Sequence, residues 1–464
     1  MVNFLLPITF FSKNYTNSLA ETTAMVAFPV FILIILLQLY RFPNRLASIR
    51  PSKSALYMGI FVWAVQLLVM LRSYGQTGES QLTSGLLHTV IVLAGWTATV
   101  YVAWAVIQVT VISEHDEKVF IKSGLIALFF YLLLVVLPQV MVTIGLHRLD
   151  HYVNVIAKVF ERHWKMHGQG YNFYANGSYA TTENRVNGFE PEAAFLANLL
   201  GVTYLPILIG LTTTKQKIWN WTKTRWAAVS LNVFFAFVLF VVLLLAKTTT
   251  GILTAVIAYL LWIVWAKGGQ RYFLVAMAFT GVAVLALAYL KVPTIHNLLN
   301  QFLFAKGGTD NRLGGTIGLL LTFVTHPLVG VGYGFTSYYI IQNVPEATTH
   351  NFEFQQVYSQ YGYPNLSDFL GWFAAFGLII MVPAFFLLFR LVARTYFVKY
   401  RLAYLALSDE EKSWSRALII AFLTMIVLAA FSSIFVIQVF LWPYLLMFFF
   451  YRKHILRLEQ EIQK

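Results

Sequence analysis

Long apolar runs recur along the whole of this 464-residue chain, and they constrain its fold more than any other feature. Hydrophobic residues make up 59% of the sequence and charged residues only 11%, a balance that excludes a water-soluble globule of this size. Each run is long enough to satisfy its own backbone as a spanning helix, and none shows the alternation of a transmembrane barrel strand. The sequence therefore predicts an all-α, polytopic helical membrane protein.

Eleven transmembrane helices are expected, one for each apolar run. The last two are the least distinct, because the sequence from Arg416 to Tyr451 is interrupted only at Phe431-Ser-Ser-Ile. One helix of that length would overshoot a hydrocarbon core of ~30 Å. A single integral domain, 1–464, is the simplest organisation, with a cytoplasmic tail at 452–464. The spans are predicted at 22–40, 54–71, 84–112, 123–144, 193–211, 227–245, 251–266, 272–290, 366–391, 416–432 and 434–451.

The N-terminal segment Met1–Phe11 is apolar but too short to cross a bilayer. It lacks the basic start and the small-residue cleavage site of a signal peptide. We therefore expect it to form an interfacial helix.

Lysine and arginine concentrate in every second loop, which predicts an orientation through the positive-inside rule. The N-terminus is expected outside, the C-terminus in the cytoplasm, and two long loops, 145–192 and 291–365, outside. Much of the net charge of +14 is this signal, with attraction to anionic membrane lipids, so nucleic acid is not expected as a partner. The basic loop residues are Arg41, Arg45, Arg50, Lys53, Lys118, Lys122, Lys215, Lys217, Lys223, Arg225, Lys267, Arg271, Arg390, Arg394, Lys399, Arg401, Lys412, Arg416, Arg452 and Lys453.

The second outer loop gathers residues that could carry chemistry: Arg312, the run His326-Pro-Leu-Val-Gly-Val-Gly332, and His350-Asn351. Residues 313–324 are apolar but too short to span, which predicts a re-entrant helix. It should end at His326, because the residue before a proline is pushed out of the α region. The glycines allow a close backbone approach to a ligand, but their spacing is not that of a dinucleotide fingerprint.

Several of these residues also have structural interpretations. An arginine at a helix mouth is often an interfacial anchor, and a loop histidine such as His350 is often simply hydrogen-bonded. Glu190 and Glu192 could orient Arg185 or complement a helix N-terminus. No cysteine is present, so disulfides and thiolate sites are excluded. Histidines 147, 151, 163 and 167 include i, i+4 pairs that could suit zinc, but without an HExxH motif no metal site is expected.

The order of these elements resembles that of the O-antigen polymerase and ligase superfamily, the Wzy-type polymerases and WaaL-type ligases of bacterial surface polysaccharide. Three motifs carry the resemblance, and they extend roughly from the fifth to the ninth helix. They are Arg185…Gly188…Pro191, Lys247-Thr-Thr-Thr250-Gly251, and Arg312…His326-Pro-Leu-Val-Gly-Val-Gly332…His350-Asn351.

The resemblance implies a GT-C-like membrane fold without metal or other cofactor, acting on the outer face of the bacterial cytoplasmic membrane. Donor and acceptor would be undecaprenyl-diphosphate-linked oligosaccharides, and other polysaccharide assembly proteins are expected partners. His350 would correspond to the family's acceptor-side histidine and Arg312 to its large-loop arginine. One departure is visible, because Thr249-Thr250-Gly251 stands where many members have Ser-Arg-Gly. Lys247 is the candidate replacement for the missing arginine.

Such a reaction places demands that these side chains meet. Negative charge develops on the departing diphosphate, and arginines bind phosphate oxygens with bidentate, charge-assisted hydrogen bonds. The acceptor hydroxyl loses a proton, for which a histidine is suited. We therefore predict His350, Arg312 and Arg185 as catalytic residues of an inverting glycosyltransferase. The predicted substrate-binding residues are Lys247, Thr250, Asn351, Gly332 and Tyr333.

Three function classes remain open from the sequence. The first is a polymerase of lipid-linked repeat units for capsule, exopolysaccharide or O-antigen, or a ligase that transfers the glycan to another acceptor. The second is a transporter or flippase of lipid-linked glycans, although no internal repeat is visible. The third is a non-enzymatic scaffold, which would not require arginine and histidine to cluster in one loop.

Overall fold

The computed structural model describes residues 3–10, 27–78, 80–83, 85–164, 172–219, 222–293, 296, 311–435 and 441–463. Within these ranges the chain is helical, with turns between helices and no β-strand. The helices are α1 Leu5–Phe10, α2 Ala27–Arg41, α3 Lys53–Thr77, α4 Leu86–Thr110, α5 Glu114–Thr143, α6 Asp150–Phe160, α7 Tyr179–Glu183, α8 Ala193–Thr213, α9 Arg225–Leu245, α10 Thr249–Trp265, α11 Gly269–Lys291, α12 Asn311–Thr325, α13 Thr336–Asn343, α14 Glu346–Thr349, α15 Asp368–Arg401, α16 Asp409–Phe435 and α17 Leu441–Gln463.

Eight of the described helices are long and apolar enough to cross a membrane: α3, α4, α5, α8, α9, α11, α15 and α16. The apolar helices α2 and α10 are shorter. The prediction of a polytopic, all-helical membrane protein is thus confirmed at this level. Each predicted span overlaps a described helix, while the total of eleven and the GT-C-like arrangement stay predictions.

Side-chain caps set the starts of several long helices. Ser52, Thr224, Thr248 and Ser367 each accept a hydrogen bond from a backbone N–H three residues further on. Ser113 does the same for α5 in a capping box with Asp116. These hydroxyls satisfy amide groups that a helix N-terminus leaves without an internal partner. Local sequence therefore fixes where the chain turns into each helix.

Helix α8 forms the centre of the bundle. Its apolar window is entirely buried, and it packs most extensively against α16. A Cβ at Gly210 would lie 2.3 Å from the Ala417 carbonyl oxygen, so the two backbones approach closely there. In contrast, α11 has one buried residue, Leu274. An apolar helix with so little protein contact is suited to a lipid environment.

The N-terminal segment corrects one expectation. Instead of lying at an interface, α1 packs into the bundle against α5 and α17. Leu5, Leu6 and Phe10 are at most 3% exposed. The Phe10 ring stacks on Tyr131, with ring centroids 4.5 Å apart. Its apolar residues therefore contribute to the core.

The basic loops meet at one end of the bundle. Arg45 donates to the Val109 carbonyl at 2.8 Å, and Lys118 pairs with Glu410 at 2.8 Å. The segment predicted as a tail continues α17 and docks at the same end, where buried His454 contacts Glu117 at 2.9 Å. These contacts agree with the prediction that the basic loops share one face.

Helix α15 is broken at Gly377, where φ is 64° and ψ is 178°. The loop after α12 supplies hydrogen-bond partners for the backbone groups at this break. Leu378 N donates to the Pro327 carbonyl at 2.8 Å, and Val331 N donates to the Ala374 carbonyl at 2.8 Å. Non-helical backbone is tolerated inside an apolar bundle only when other protein groups satisfy it in this way. The glycine-rich loop and α15 therefore form one structural joint.

We predict that Gly377→Ala destabilises the protein by about 2 kcal/mol or more, because a side chain disfavours this left-handed backbone. Its Cβ would also lie 2.4 Å from the Leu328 carbonyl oxygen. Thermal unfolding in detergent measures the effect. Gly281→Ala is the control, since a Cβ there meets nothing within 4 Å. Equal unfolding temperatures for the two variants would contradict this account of the joint.

Candidate functional site

Buried side chains hold in place the end of the loop 145–192, which carries the predicted site residue Arg185. From α5, the Gln139 carboxamide accepts from Gly188 N at 2.7 Å and donates to the Gly188 carbonyl at 2.9 Å. The Tyr131 hydroxyl accepts from Phe189 N at 2.9 Å. Because its backbone is satisfied by a spanning helix, the loop from Arg185 to Glu192 has a fixed path.

A buried ion pair supports the same segment. The Arg162 guanidinium contacts both carboxylate oxygens of Glu190, at 3.0 and 2.9 Å. The two side chains are only 9% and 1% exposed. Burial raises the pKa of Glu190, although Arg162 acts in the opposite direction. Breaking one half of such a pair leaves a buried charge without compensation, so this contact is a strong constraint on the loop.

Glu192 occupies the N-cap position of α8 and interacts electrostatically with arginines of both long loops, 145–192 and 291–365. Its Oε1 accepts a hydrogen bond from Trp164 Nε1 at 2.7 Å. Arg312 and Arg185 are both near enough to lower its pKa electrostatically, and Glu353 opposes them. Burial is the larger effect and raises the pKa of Glu192 overall. The predicted arginines therefore converge, and the carboxylate between them was not predicted as a site residue.

Lys247 belongs to the same cluster. Its Nζ donates to the Asn184 carbonyl at 3.0 Å, and burial together with the nearby Arg185 lowers the pKa of its ammonium. Lys247 and Asn184 both adopt left-handed backbone, with φ of 50° and 55°, which is uncommon outside glycine. Thr250 is 5% exposed in the first turn of α10. At this helix start Lys247 is thus the charged residue that joins the cluster.

Arg185 also contacts an aromatic side chain of its own loop. Its guanidinium is hydrogen-bonded to Tyr179, whose side chain is 3% exposed. Burial raises the pKa of Tyr179 to about 12. Arg185 therefore interacts both with an uncharged phenol and with the carboxyl group of Glu192.

Polar side chains join the segment that follows His350 to Asn311, the first described residue of α12. Asn311 Nδ2 donates to Asn351 Oδ1 at 3.0 Å and to Glu353 Oε2 at 2.7 Å. The Tyr358 hydroxyl donates to Glu353 Oε1 at 2.7 Å. Asn351, predicted to bind substrate, thus ties the segment that carries His350 to the helix that carries Arg312.

The His350 side chain is exposed, and one of its ring nitrogens is hydrogen-bonded to a backbone carbonyl. Its Nδ1 lies 3.0 Å from the Glu346 carbonyl oxygen. Since a carbonyl can only accept, Nδ1 carries the hydrogen in this contact. In the neutral ring Nε2 is then left with its lone pair. The geometry suits a proton acceptor at Nε2.

Gly332 and Tyr333 lie in the glycine-rich loop that packs on α15, and both also contact α3. A Cβ at Gly332, where φ is 88°, would lie 3.0 Å from Met70 Cγ. Tyr333 N donates to Gln66 Oε1 at 3.0 Å. This packing explains the glycine without a ligand. Their role in substrate binding stays a prediction.

The other histidines have local contacts. As predicted, α12 ends at Thr325, directly before His326. His147 lies 3.3 Å from Asp150, and His163 lies 3.3 Å from Glu161. Among the described residues no three metal-ligating side chains group together. His167 lies outside the described residues.

Two helices present their N-termini to this region. Glu192 precedes α8, and Lys247 is followed by the Thr248 cap of α10. Arg312 lies near the start of the described part of α12. Helix N-termini carry unsatisfied amide groups and a partial positive charge, which favour anions. Together with three cationic side chains, they make an anion-binding environment at the end of the bundle opposite the basic loops. We call Arg185, Lys247, Arg312 and Glu192 the cationic cluster.

Comparison with known proteins leaves the family open. No model of a known protein family matches the chain, and no curated protein is found to be significantly similar. The resemblance to polysaccharide polymerases therefore depends on the motifs alone.

We predict that Arg162→Leu destabilises the protein by about 3–5 kcal/mol, because Glu190 loses its buried partner. The double variant Arg162→Leu/Glu190→Leu should recover most of this loss. Because burial raises the pKa of Glu190, the single variant should lose less stability as the pH falls and the carboxylate is protonated. Thermal unfolding across pH measures both effects. Equal losses in the single and double variants would show that charge compensation is not what holds the loop.

Proposed function

We propose that this protein polymerises undecaprenyl-diphosphate-linked oligosaccharide repeat units into surface polysaccharide. The observation that carries the proposal is that cations from three separate segments interact: Arg185 and Arg312 both act on Glu192, and Lys247 interacts with Arg185. These residues come from the three motifs on which the family resemblance rests. A membrane-embedded site of this kind suits a lipid-linked diphosphate, which brings its negative charges to the end of an apolar bundle.

On the donor side, the cations stabilise the leaving group. The bond between the anomeric carbon and the diphosphate oxygen breaks, and its electron pair leaves with the diphosphate. Arg312 and Arg185 bind the oxygens on which charge accumulates, and Lys247 adds a third positive charge.

On the acceptor side, a sugar hydroxyl attacks the anomeric carbon and loses its proton. His350 Nε2 accepts this proton, and the Glu346 carbonyl orients the ring through Nδ1. Attack opposite the leaving group inverts the anomeric carbon. In this proposal the reaction needs no metal and takes place on the outer face of a bacterial cytoplasmic membrane.

A ligase is the second candidate function, because it shares the donor chemistry and differs only in the acceptor. Transport of lipid-linked glycans is less well supported. A transporter needs a cationic path that alternates between the two membrane faces, whereas the cationic cluster lies at one end of the bundle.

The decisive test is incubation of the purified protein with a synthetic polyprenyl-diphosphate oligosaccharide in the presence of a chelator, followed by sizing of the products. We expect a ladder of repeat units with loss of the diphosphate. Transfer only to an added non-lipid acceptor would instead identify a ligase. No product from any donor tested would refute both enzymatic functions.

We further predict different kinetic effects for the two kinds of site residue. Arg312→Ala should weaken donor binding and lower kcat by about 100-fold, and Arg312→Lys should recover part of the loss because lysine supplies charge without the bidentate fork. His350→Ala should lower single-turnover rates by about 100-fold or more with unchanged donor affinity. Arg148→Ala and His151→Ala, exposed residues of the other outer loop, are the controls. An unchanged single-turnover rate in His350→Ala would exclude this histidine as the base.

A further inference from the structure

One member of the cationic cluster is a carboxylate. Glu192 is hydrogen-bonded through Oε1 to Trp164 and interacts electrostatically with Arg312 and Arg185. The mechanism above assigns it no step. An anionic side chain among cations that are proposed to bind a diphosphate would repel that diphosphate unless its charge were removed.

We propose that Glu192 is the internal counter-ion of Arg185 and Arg312 and that it takes up a proton when the donor diphosphate binds. This inference rests on the proposed function, because it concerns the same cations. Before the donor binds, the carboxylate offsets the charge of these cations. When the diphosphate binds to Arg312 and Arg185, a proton from solvent adds to the carboxylate. Since Oε1 is engaged by the Trp164 N–H, the proton is expected on Oε2.

The charged and titratable groups around Glu192 determine the direction of this effect. Arg185 and Arg312 stabilise its carboxylate, whereas Glu353 opposes it. The nearby phenols Tyr174, Tyr179 and Tyr358 interact with it and have raised pKa values, chiefly through burial, so they remain protonated near neutral pH. Lys247 acts one step further away, next to Arg185.

Before any ligand binds, burial already raises the pKa of Glu192 above its ordinary value. A bound diphosphate adds negative charge and engages the two arginines that had stabilised the carboxylate. Both changes raise the pKa further. By thermodynamic linkage, donor affinity then decreases as the pH rises through the interval between the free and bound pKa values, by at most about tenfold per pH unit.

The test is isothermal titration calorimetry of the full-length protein with farnesyl-diphospho-glucose, in pairs of buffers that differ in ionisation enthalpy. This diphosphate diester has no proton of its own to lose near neutral pH, so any proton uptake belongs to the protein. We expect the wild type to take up at most about one proton per ligand over the linkage interval. Glu192→Gln should bind with no uptake and with pH-independent affinity, and its Oε1 can still accept from Trp164.

Three further variants complete the design. Asp409→Asn, at an exposed carboxylate in the first turn of α16, is the carboxylate control and should keep the wild-type uptake. Trp164→Phe removes the hydrogen bond to the carboxylate and should move the uptake to higher pH, which provides a second reading if Glu192→Gln folds poorly. Arg312→Ala should weaken binding at every pH.

The outcomes separate this inference from the proposed function. Binding that depends on Arg312 but involves no proton uptake would overturn the role of Glu192 and leave the proposed function in place. Uptake that survives in Glu192→Gln and disappears in Glu353→Gln or His350→Ala would assign the proton to that other residue and also overturn it. Binding that does not depend on Arg312, or no binding at all, would overturn both.

Discussion

The need to satisfy backbone hydrogen bonds in an apolar environment is the constraint on which this structure depends. Most of the chain meets it by forming helices. At Gly377, where α15 is broken, the loop after α12 supplies the partners. At 187–189, Gln139 and Tyr131 supply them from α5. The segment of the candidate site between Arg185 and Glu192 is therefore held on irregular backbone that other parts of the protein satisfy.

The helices could largely be predicted from the sequence, because an apolar run of spanning length has few alternatives. Their starts were predicted less well. The fourth span was placed from 123, whereas α5 begins at Glu114 after the capping box of Ser113 and Asp116. Hydropathy places charged residues in loops, but acidic residues in a first helical turn are favourable. The burial of α1 was not predictable from hydropathy either, since the same apolar residues suit an interface or a core.

At the candidate site, the sequence proposed the cations but not their arrangement. Arg185, Lys247 and Arg312 were predicted from motifs in separate segments. Arg185 and Arg312 both interact electrostatically with Glu192, and Lys247 interacts with Arg185. Gly332 illustrates the opposite case. A glycine that permits close backbone approach has the same sequence signature whether it meets a ligand or, as here, Met70 of a neighbouring helix. Glu192 was ambiguous because a carboxylate at a helix start has a sufficient local explanation.

The balance of charged residues in the site follows from the free-energy cost of placing charges in a partly desolvated environment. Three cations and two helix N-termini without an anion would repel one another, and burial would lower the proton affinity of a lysine such as Lys247. Glu192 and Glu353 reduce that repulsion, and each is oriented by a neutral donor, Trp164 or Tyr358. The buried pair Arg162–Glu190 adds no net charge. The charge balance of the cluster is thus set by Arg185, Lys247 and Arg312 against the carboxylates of Glu192 and Glu353.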